Sequence, residues 1–175
     1  MAKDKSTNHG ATPEGPAGDA TAKPEHRITI SKIYVKDMSF ESPQAPQVFR
    51  GGQWQPQTDL NLRSSHSAIE GDMHEVVLTI TIEAKNDDKT LFLCELAQAG
   101  LFEIGGYRKE DLDAIVGSFC PNILFPYARE AIASAIQKGG FPEFVLQPIN
   151  FDALYVQSRQ QAAAQQAGTP PPETH

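Results

Sequence analysis

The segment Glu75-Val-Val-Leu-Thr-Ile-Thr-Ile-Glu83 alternates in side-chain character along its whole length. Large aliphatic residues occupy every second position and so share one face of a β-strand: Val76, Leu78, Ile80 and Ile82. The other face carries Val77 among threonines and glutamates. The segment therefore predicts a strand with one face in a core and a more polar opposite face, the pattern typical of an antiparallel sheet.

The next strand follows after a polar turn, Lys85-Asn-Asp-Asp-Lys89, which predicts a hairpin. This fourth strand runs from Thr90 to about Ile104, and both of its faces are largely apolar. One face carries Phe92, Cys94, Leu96 and Gln98, and the other carries Leu91, Leu93, Glu95 and Ala97. We expect burial on both sides, one of them by another subunit.

Two strands precede this hairpin. The first is marked by Ile28, Ile30, Ile33 and Val35, whose alternation slips between Ile30 and Ile33 and so indicates a bulge or burial on both sides. The second strand contains Leu60 and Leu62. The segment between these two strands, Phe40 to Trp54, contains two prolines, a glycine pair and three aromatic residues. That composition predicts a long irregular connection with a functional role.

The period changes to that of a helix after Gly105-Gly106. Four apolar residues then share one helical face: Leu112, Ile115, Val116 and Phe119. Pro121 and Pro126 punctuate the next stretch, and a longer helix runs to about Lys138, where Gly139-Gly140 ends it. Asn150 is placed to cap a last helix that begins at Phe151. Four strands followed by helices predict an α+β fold with an antiparallel, meander-type sheet.

The two ends of the chain differ from this middle part. Residues 1–26 contain no Leu, Ile, Val or aromatic residue, so we expect a disordered N-terminal extension before a folded domain over residues 27–158. Residues 159–175 form a predicted flexible C-terminal tail. Its first part is rich in Gln and Ala and can continue a helix, which Gly168 and Pro170 would stop.

Charge and hydropathy exclude several classes of partner. The net charge is −7, which disfavours nucleic acid and anionic membrane surfaces, since both attract clustered Lys and Arg. No apolar run approaches the roughly 18 residues of a membrane span, and no secretory signal is recognisable at the start. These features predict a cytoplasmic protein without membrane insertion, and its acidity suits cationic clients.

The motifs of catalysis and cofactor binding are missing from the sequence. It contains no phosphate-binding loop, no G-x-S-x-G and no Cys/His cluster. We therefore predict that the protein is not an enzyme and needs neither metal nor cofactor. Cys94 and Cys120 are expected to be buried, reduced thiols, and His66 and His74 to be exposed polar residues.

Two features suit the binding of other proteins. The first is an acidic pair, Asp37 and Glu41, which Leu93 and Glu95 could join across a strand face; a solvated acidic edge is the alternative. The second is the aromatic connection from Phe40 to Trp54. It could wall a groove that captures extended apolar chains, or it could pack as a lid over its own sheet.

The run Cys120-Pro-Asn-Ile-Leu-Phe-Pro-Tyr-Ala-Arg-Glu130 resembles the signature of the SecB protein-export chaperones. Other runs agree with the family in order and spacing: Tyr34–Glu41, Trp54–Pro56, Glu75–Leu78, Phe92–Glu95 and Asn150–Leu154. The resemblance covers about residues 27–160.

The resemblance implies a four-stranded antiparallel sheet with helices packed on one face. It also implies a homotetramer, built as a dimer of dimers, with Cys94, Leu96 and Gln98 at positions where assembly is sensitive. Such a chaperone binds unfolded precursor polypeptides without ATP and delivers them to the export motor SecA. The residues that match the family's SecA-docking patch are Asp37, Glu41, Leu93 and Glu95, and they would face a basic tail of SecA.

The client-binding groove carries over less directly, and we assign it to Phe40, Phe49, Trp54 and Phe151. Two alternatives remain open on the sequence. One is a small-ligand or lipid-binding α+β domain with the aromatic connection as its lid. The other is a SecB-like chaperone that serves a toxin–antitoxin system.

Overall fold

The structure is a computed structural model that describes residues 25–50 and 56–167. It contains the four strands β1 (Arg27–Glu41), β2 (Gln57–Glu70), β3 (Met73–Asn86) and β4 (Lys89–Gly105). Helices α1 (Lys109–Ala114), α2 (Cys120–Lys138) and α3 (Phe151–Ala167) follow. The α+β class predicted from the sequence is confirmed. The predicted N-terminal extension lies almost wholly outside the described residues.

The strands form one antiparallel sheet in the order β1-β4-β3-β2. Strands β2, β3 and β4 are joined by tight hairpins, as a meander requires. The prediction of a meander is wrong for β1, which pairs with β4 rather than with β2. The chain between β1 and β2 is long enough to cross from one edge of the sheet to the other, which gives a Greek-key order.

Strand β1 keeps its apolar side chains on one face by means of two bulges. The register shifts between Ile30 and Lys32 and again between Val35 and Asp37. The first shift confirms the bulge predicted between Ile30 and Ile33. Because each bulge inserts one residue, the alternation is restored after it. The strand also extends to Glu41, so Phe40 belongs to β1 and not to the irregular connection as predicted.

The helical region is continuous from α1 to α2. A π-helical turn, Ile115–Phe119, joins them, and both Pro121 and Pro126 lie within the helix. The prediction that these prolines separate two helices is wrong. A proline removes one hydrogen bond to the residue four positions earlier, and the π-helical turn directly before Pro121 absorbs that irregularity without ending the helix.

The core lies between one face of the sheet and α2. Alternate residues of β3, from Val76 to Ala84, have no exposed surface, and they meet α2 residues that are equally buried: Cys120, Leu124, Ala128, Ile132 and Ile136. The helix approaches β4 closely at Gly100, where an added Cβ would lie 2.9 Å from Leu124 Cδ2. Only glycine leaves room for this contact. Helices therefore cover one face of the sheet.

The helix ends follow the sequence signals. Helix α2 ends at Gly139-Gly140, and Gly140 has a φ of +86° that suits glycine. Asn150 caps α3, because its side-chain oxygen accepts a hydrogen bond of 3.0 Å from the backbone N–H of Ala153. Helix α3 continues to Ala167, so the Gln/Ala segment is helical as predicted.

Two neighbouring valines of β3 provide a matched test of which face is covered. Val76 is fully buried under α2, whereas Val77 lies on the opposite face and is partly exposed. We expect Val76→Ala to lower the free energy of unfolding by about 2 kcal/mol, since each buried CH₂ contributes roughly 0.8 kcal/mol and a cavity adds to the loss. Val77→Ala should cost less than half as much in urea unfolding. Equal losses would contradict the assignment of the covered face.

Candidate functional site

The face of the sheet that α2 leaves open brings together the four residues predicted to dock SecA. Glu41 on β1 is directly opposite Leu93 on β4, and Ser39 is opposite Glu95. Asp37 is opposite Ala97, one step further along the same two strands. Directly opposed residues share a face, so Asp37, Glu41, Leu93 and Glu95 form one continuous surface, which we call the acidic face.

The carboxylates of the acidic face differ in their exposure and in their hydrogen-bond partners. Asp37 and Glu41 are exposed, and within the described residues neither forms an ion pair at 4.0 Å or less. Glu95 is partly buried and accepts a hydrogen bond of 3.0 Å from Thr81 Oγ1. Leu93, also partly buried, is directly opposite Glu41 at one end of this surface. The surface thus offers two uncompensated negative charges, with one apolar side chain opposite Glu41.

A separate carboxylate on this open face is neutralised within the protein. Glu75 accepts hydrogen bonds from Tyr34 and from Lys36, whose Nζ lies 2.7 Å from Glu75 Oε2. Lys36 is the residue that the second β1 bulge inserts. The hydrogen bond from Lys36 is the largest cause that lowers the pKa of Glu75, and the bond from Tyr34 adds to it. This network ties β1 to β3 across β4.

On the helical side, four phenylalanines gather at the C-terminal end of α2. Phe92 and Phe141 have ring centroids 4.9 Å apart. Phe40 stacks on Phe92 and is tilted against Phe141, and Phe49 is tilted against Phe141, at centroid distances of 5.3 to 5.9 Å. Phe40 also lies against Gly139, where an added Cβ would be 2.3 Å from its ring. Phe49 is 51% exposed. We call these four residues the aromatic cluster; its outer edge is open to solvent.

The four residues predicted for the client groove do not form one site. Phe40 and Phe49 belong to the aromatic cluster, and Trp54 lies outside the described residues. Phe151 is 2% exposed and packs on Phe125, with ring centroids 5.6 Å apart. Phe125 precedes Gly139 by about four helical turns, or roughly 20 Å. Phe151 therefore lies in a different part of the protomer from Phe40, and its role in client binding stays a prediction.

Phe151 instead forms part of the floor of a second groove, between β2 and α3. This groove has a volume of ≈ 500 Å³. Its apolar lining includes Leu62, Val116, Leu154 and Tyr155, and its rim includes His66 and several serines and glutamines. No feature of the sequence had connected β2 with α3, because the two segments are distant in the chain.

The residues predicted at the subunit interface are buried inside the protomer. Cys94 and Leu96 have no exposed surface, and Gln98 donates a hydrogen bond of 2.9 Å to the Tyr34 carbonyl. Burial raises the pKa of the Cys94 thiol to about 11 and that of Cys120 to about 12. Cys94 and Leu96 can influence assembly only through the packing of β4, since they have no exposed surface. Gln98 is nearly buried but lines a groove between β1 and α2.

A groove between β1 and α2 was also missed from the sequence. It has a volume of ≈ 460 Å³ and is lined by Ile33, Val35, Pro126 and Tyr127, among others. Val35 and Tyr127 are exposed, as are Ile30 and Met38 along the same strand. The alternation of β1 predicted apolar residues there, but it could not show that α2 leaves this edge uncovered.

His66 is exposed, as the sequence predicted, but the same prediction is wrong for His74. His66 Nε2 and His74 Nδ1 lie 3.0 Å apart, and His74 is only 6% exposed. Burial is the largest cause that lowers the pKa of His74, and the neighbouring His66 adds to it. Within residues 25–50 and 56–167, no group of three or more His, Cys, Asp or Glu side chains is arranged to hold a metal ion.

The family model described as preprotein translocase subunit SecB matches residues 21–162. The chain belongs to the SecB family. That match includes the sheet, all three helices up to Ala162, and every residue of the acidic face and the aromatic cluster.

Individual SecB relatives agree over most of the chain. The protein-export protein SecB of Nitrosococcus oceani is 47% identical over 92% of this chain and 93% of the relative. That of Chromobacterium violaceum is 54% identical over 78% of this chain and 90% of the relative. Among solved structures, a Mycobacterium tuberculosis SecB-like chaperone in complex with a peptide of the HigA1 antitoxin matches with a TM-score of 0.59. It covers 70% of this chain and 91% of its own, and at 18% identity it shows the fold alone.

No helix in the described part of the chain has the length and apolar character that crossing a lipid bilayer requires.

The Glu75 network predicts a specific dependence of stability on pH. Because the folded-state pKa of Glu75 is lowered, its contribution is present above the ordinary pKa of 4.5 and is lost as the pH falls through the folded value. We expect Glu75→Gln to cost on the order of 1 kcal/mol at pH 7 in urea unfolding. The difference from wild type should shrink below pH 4.5.

Glu143→Gln is the matched control for this pH experiment, since Glu143 is exposed and lies in an irregular segment. It should leave stability unchanged at both pH values. A Glu75→Gln cost that stays constant between pH 7 and pH 3.5 would show that the carboxylate charge does not stabilise the network.

Proposed function

We propose that this protein is an ATP-independent chaperone of protein export, which holds unfolded precursors and delivers them to SecA. The family match over residues 21–162, with protein-export proteins as the similar relatives, carries this proposal. The two surfaces on opposite faces of the sheet support it, because one is apolar and the other is acidic. A holdase needs an apolar surface for unfolded chains, and a docking surface for a basic tail needs acidic residues.

The aromatic cluster is the proposed client surface. Phe49 presents half of its ring to solvent beside Phe40 and Phe141, so an apolar segment of a client can bury surface there at about 25 cal/mol per Å². Such contacts recognise the hydrophobicity of a client segment and not a particular amino-acid sequence. A client that folds hides the same side chains and is released, which needs no nucleotide.

The acidic face is the proposed SecA-docking surface. Asp37 and Glu41 carry charges that no described basic residue neutralises at ion-pair distance. Leu93 on β4, directly opposite Glu41, offers an apolar anchor. A basic tail of SecA would be attracted by these charges and held by Leu93. Charge complementarity of this kind mainly sets the association rate and the choice of partner.

Assembly into a homotetramer, as a dimer of dimers, is part of the proposal. The exposed side chains Ile30, Val35, Met38 and Tyr127 give β1 and α2 an apolar surface that another copy could cover. Cys94, Leu96 and Gln98 would act on assembly indirectly, because they fix how β4 packs under α2. Several client surfaces on one particle would raise affinity by multivalency.

We further propose that the protein has no catalytic activity, needs no cofactor and works in the cytoplasm, where precursors are found before export. Burial keeps Cys94 and Cys120 protonated, so neither is an activated nucleophile. The lipid-binding alternative is not favoured by any similar protein. The antitoxin peptide belongs to the complex of the distant structural neighbour, which carries no functional argument for this chain at 18% identity.

The client surface is tested by the refolding of a slow-folding precursor in the presence of the protein. Wild type should retard refolding at stoichiometric amounts, and Phe49→Ser should weaken client binding about tenfold, for a loss of roughly 1.5 kcal/mol of apolar burial. Ile69→Ser is the matched control, since Ile69 is equally exposed but lies at the other end of the sheet. No retardation by wild type would overturn the proposed function.

The docking surface is tested with the basic tail of SecA. Asp37→Ala combined with Glu41→Ala should weaken tail binding about tenfold, since two exposed charge pairs together contribute on the order of 1–2 kcal/mol. Client binding should not change. Glu110→Ala with Glu143→Ala removes the same net charge elsewhere and should leave tail affinity intact. If both double variants weaken tail binding equally, the effect comes from the net charge of the protein, and the acidic face is not the docking surface.

A further inference from the structure

His66 and His74 face each other across the β2–β3 hairpin. His66 is opposite Val76 and His74 is opposite Ala68, so the two histidines are diagonal neighbours on the face of the sheet that also carries the core. Their rings are 5.2 Å apart between centroids, with 33° between the ring planes. His74 is buried, while His66 reaches the groove between β2 and α3.

The two nearest ring nitrogens, His66 Nε2 and His74 Nδ1, are separated by 3.0 Å. In the neutral pair, only one proton lies between these nitrogens, and the other nitrogen offers a lone pair. A metal ion can replace that proton and bind both nitrogens once each ring has rotated by about 43°, so that its nitrogen lone pair points at the ion instead of along the line between the nitrogens. The proton-bridged pair therefore already holds two imidazole nitrogens at a separation that one ion can span.

The separation of the nitrogens also selects among metals. Imidazole nitrogens bind such ions at about 2.0–2.1 Å. With a separation of 3.0 Å, the angle at the ion is then about 94°, from triangle geometry on those bond lengths. Adjacent ligands subtend about 90° in the square-planar or tetragonal arrangements of Cu²⁺ and Ni²⁺, whereas Zn²⁺ prefers a tetrahedron.

The surroundings leave room for the remaining ligands. The groove beside His66 is mainly apolar, but Ser64, Ser65 and Gln157 are among its lining residues. Its volume of ≈ 500 Å³ accommodates several water molecules. Asp72, in the β2–β3 turn, acts electrostatically on His74 and adds a negative charge near the pair.

We propose that His66 and His74 form a binding site for a divalent transition-metal ion, Cu²⁺ or Ni²⁺ in preference to Zn²⁺, with water from the groove completing the coordination. The ion links β2 to β3 at one end of the sheet. It also places a hydrated positive charge at the rim of the groove between β2 and α3. The site is separate from both the aromatic cluster and the acidic face.

The test is calorimetric titration of the full-length protein, without an affinity tag, with CuCl₂, NiCl₂ or ZnCl₂. Wild type should bind one Cu²⁺ per chain, and Ni²⁺ should bind more tightly than Zn²⁺. His66→Gln should weaken Cu²⁺ and Ni²⁺ binding by at least about tenfold, a loss that even an outer-shell change commonly causes. The bound Cu²⁺ should raise the melting temperature of wild type but not of this variant.

His26→Gln is the matched control, since His26 stacks on Tyr107 at the start of β1 and belongs to no described histidine pair. It should bind Cu²⁺ as wild type does. The electron paramagnetic resonance spectrum of Cu²⁺ provides a second readout, because two nitrogen donors in wild type should become one in His66→Gln. His66 is exposed, so this variant folds even where His74→Gln does not.

Two results would overturn the proposal. One is unchanged Cu²⁺ affinity and an unchanged spectrum in His66→Gln, which would place the ion on other histidines of the chain. The other is tighter binding of Zn²⁺ than of Ni²⁺, which would contradict the coordination angle that the 3.0 Å separation sets.

Discussion

The burial of one face of β3 and β4 beneath α2 is the constraint on which the other features depend. Alternate residues of β3 and the facing residues of α2 have no exposed surface, and Gly100 lets the helix approach to van der Waals contact. Because the helices occupy one side, the opposite side stays open over all four strands. The edge strands β1 and β2 are then only partly covered, which leaves a groove beside each.

Because side chains alternate along each strand, the packing of α2 on one face of the sheet leaves two different surfaces, the aromatic cluster and the acidic face. Phe40 and Glu41 are consecutive residues, yet one joins the aromatic cluster and the other the acidic face. The bulge at Lys36 is needed for this arrangement, since it restores the alternation before Asp37. A shift of one residue would exchange the apolar and acidic side chains between the faces. Register is therefore what keeps the two proposed binding functions apart.

The sequence predicted what depends on local periodicity. The two-residue period of β3, the first β1 bulge, the helix cap at Asn150 and the α2 end at Gly139 are local, and each was confirmed. The pairing of β1 with β4 was not predictable in this way, because it depends on a long connection. Phe151 and Phe40 looked alike as aromatic residues, but roughly 20 Å of helix separates their sites. The histidine pair required the β2–β3 register, which no spacing of single residues gives.

The central claim is that client and SecA bind to opposite faces of the same sheet. It is tested most directly by fluorescence anisotropy of a labelled SecA tail peptide, titrated with the protein in the absence and presence of a saturating unfolded client. Independent faces predict the same dissociation constant in both titrations, within about twofold, and a ternary complex at saturation. Displacement of the peptide by the client would contradict the account, because it would mean that both ligands occupy one surface.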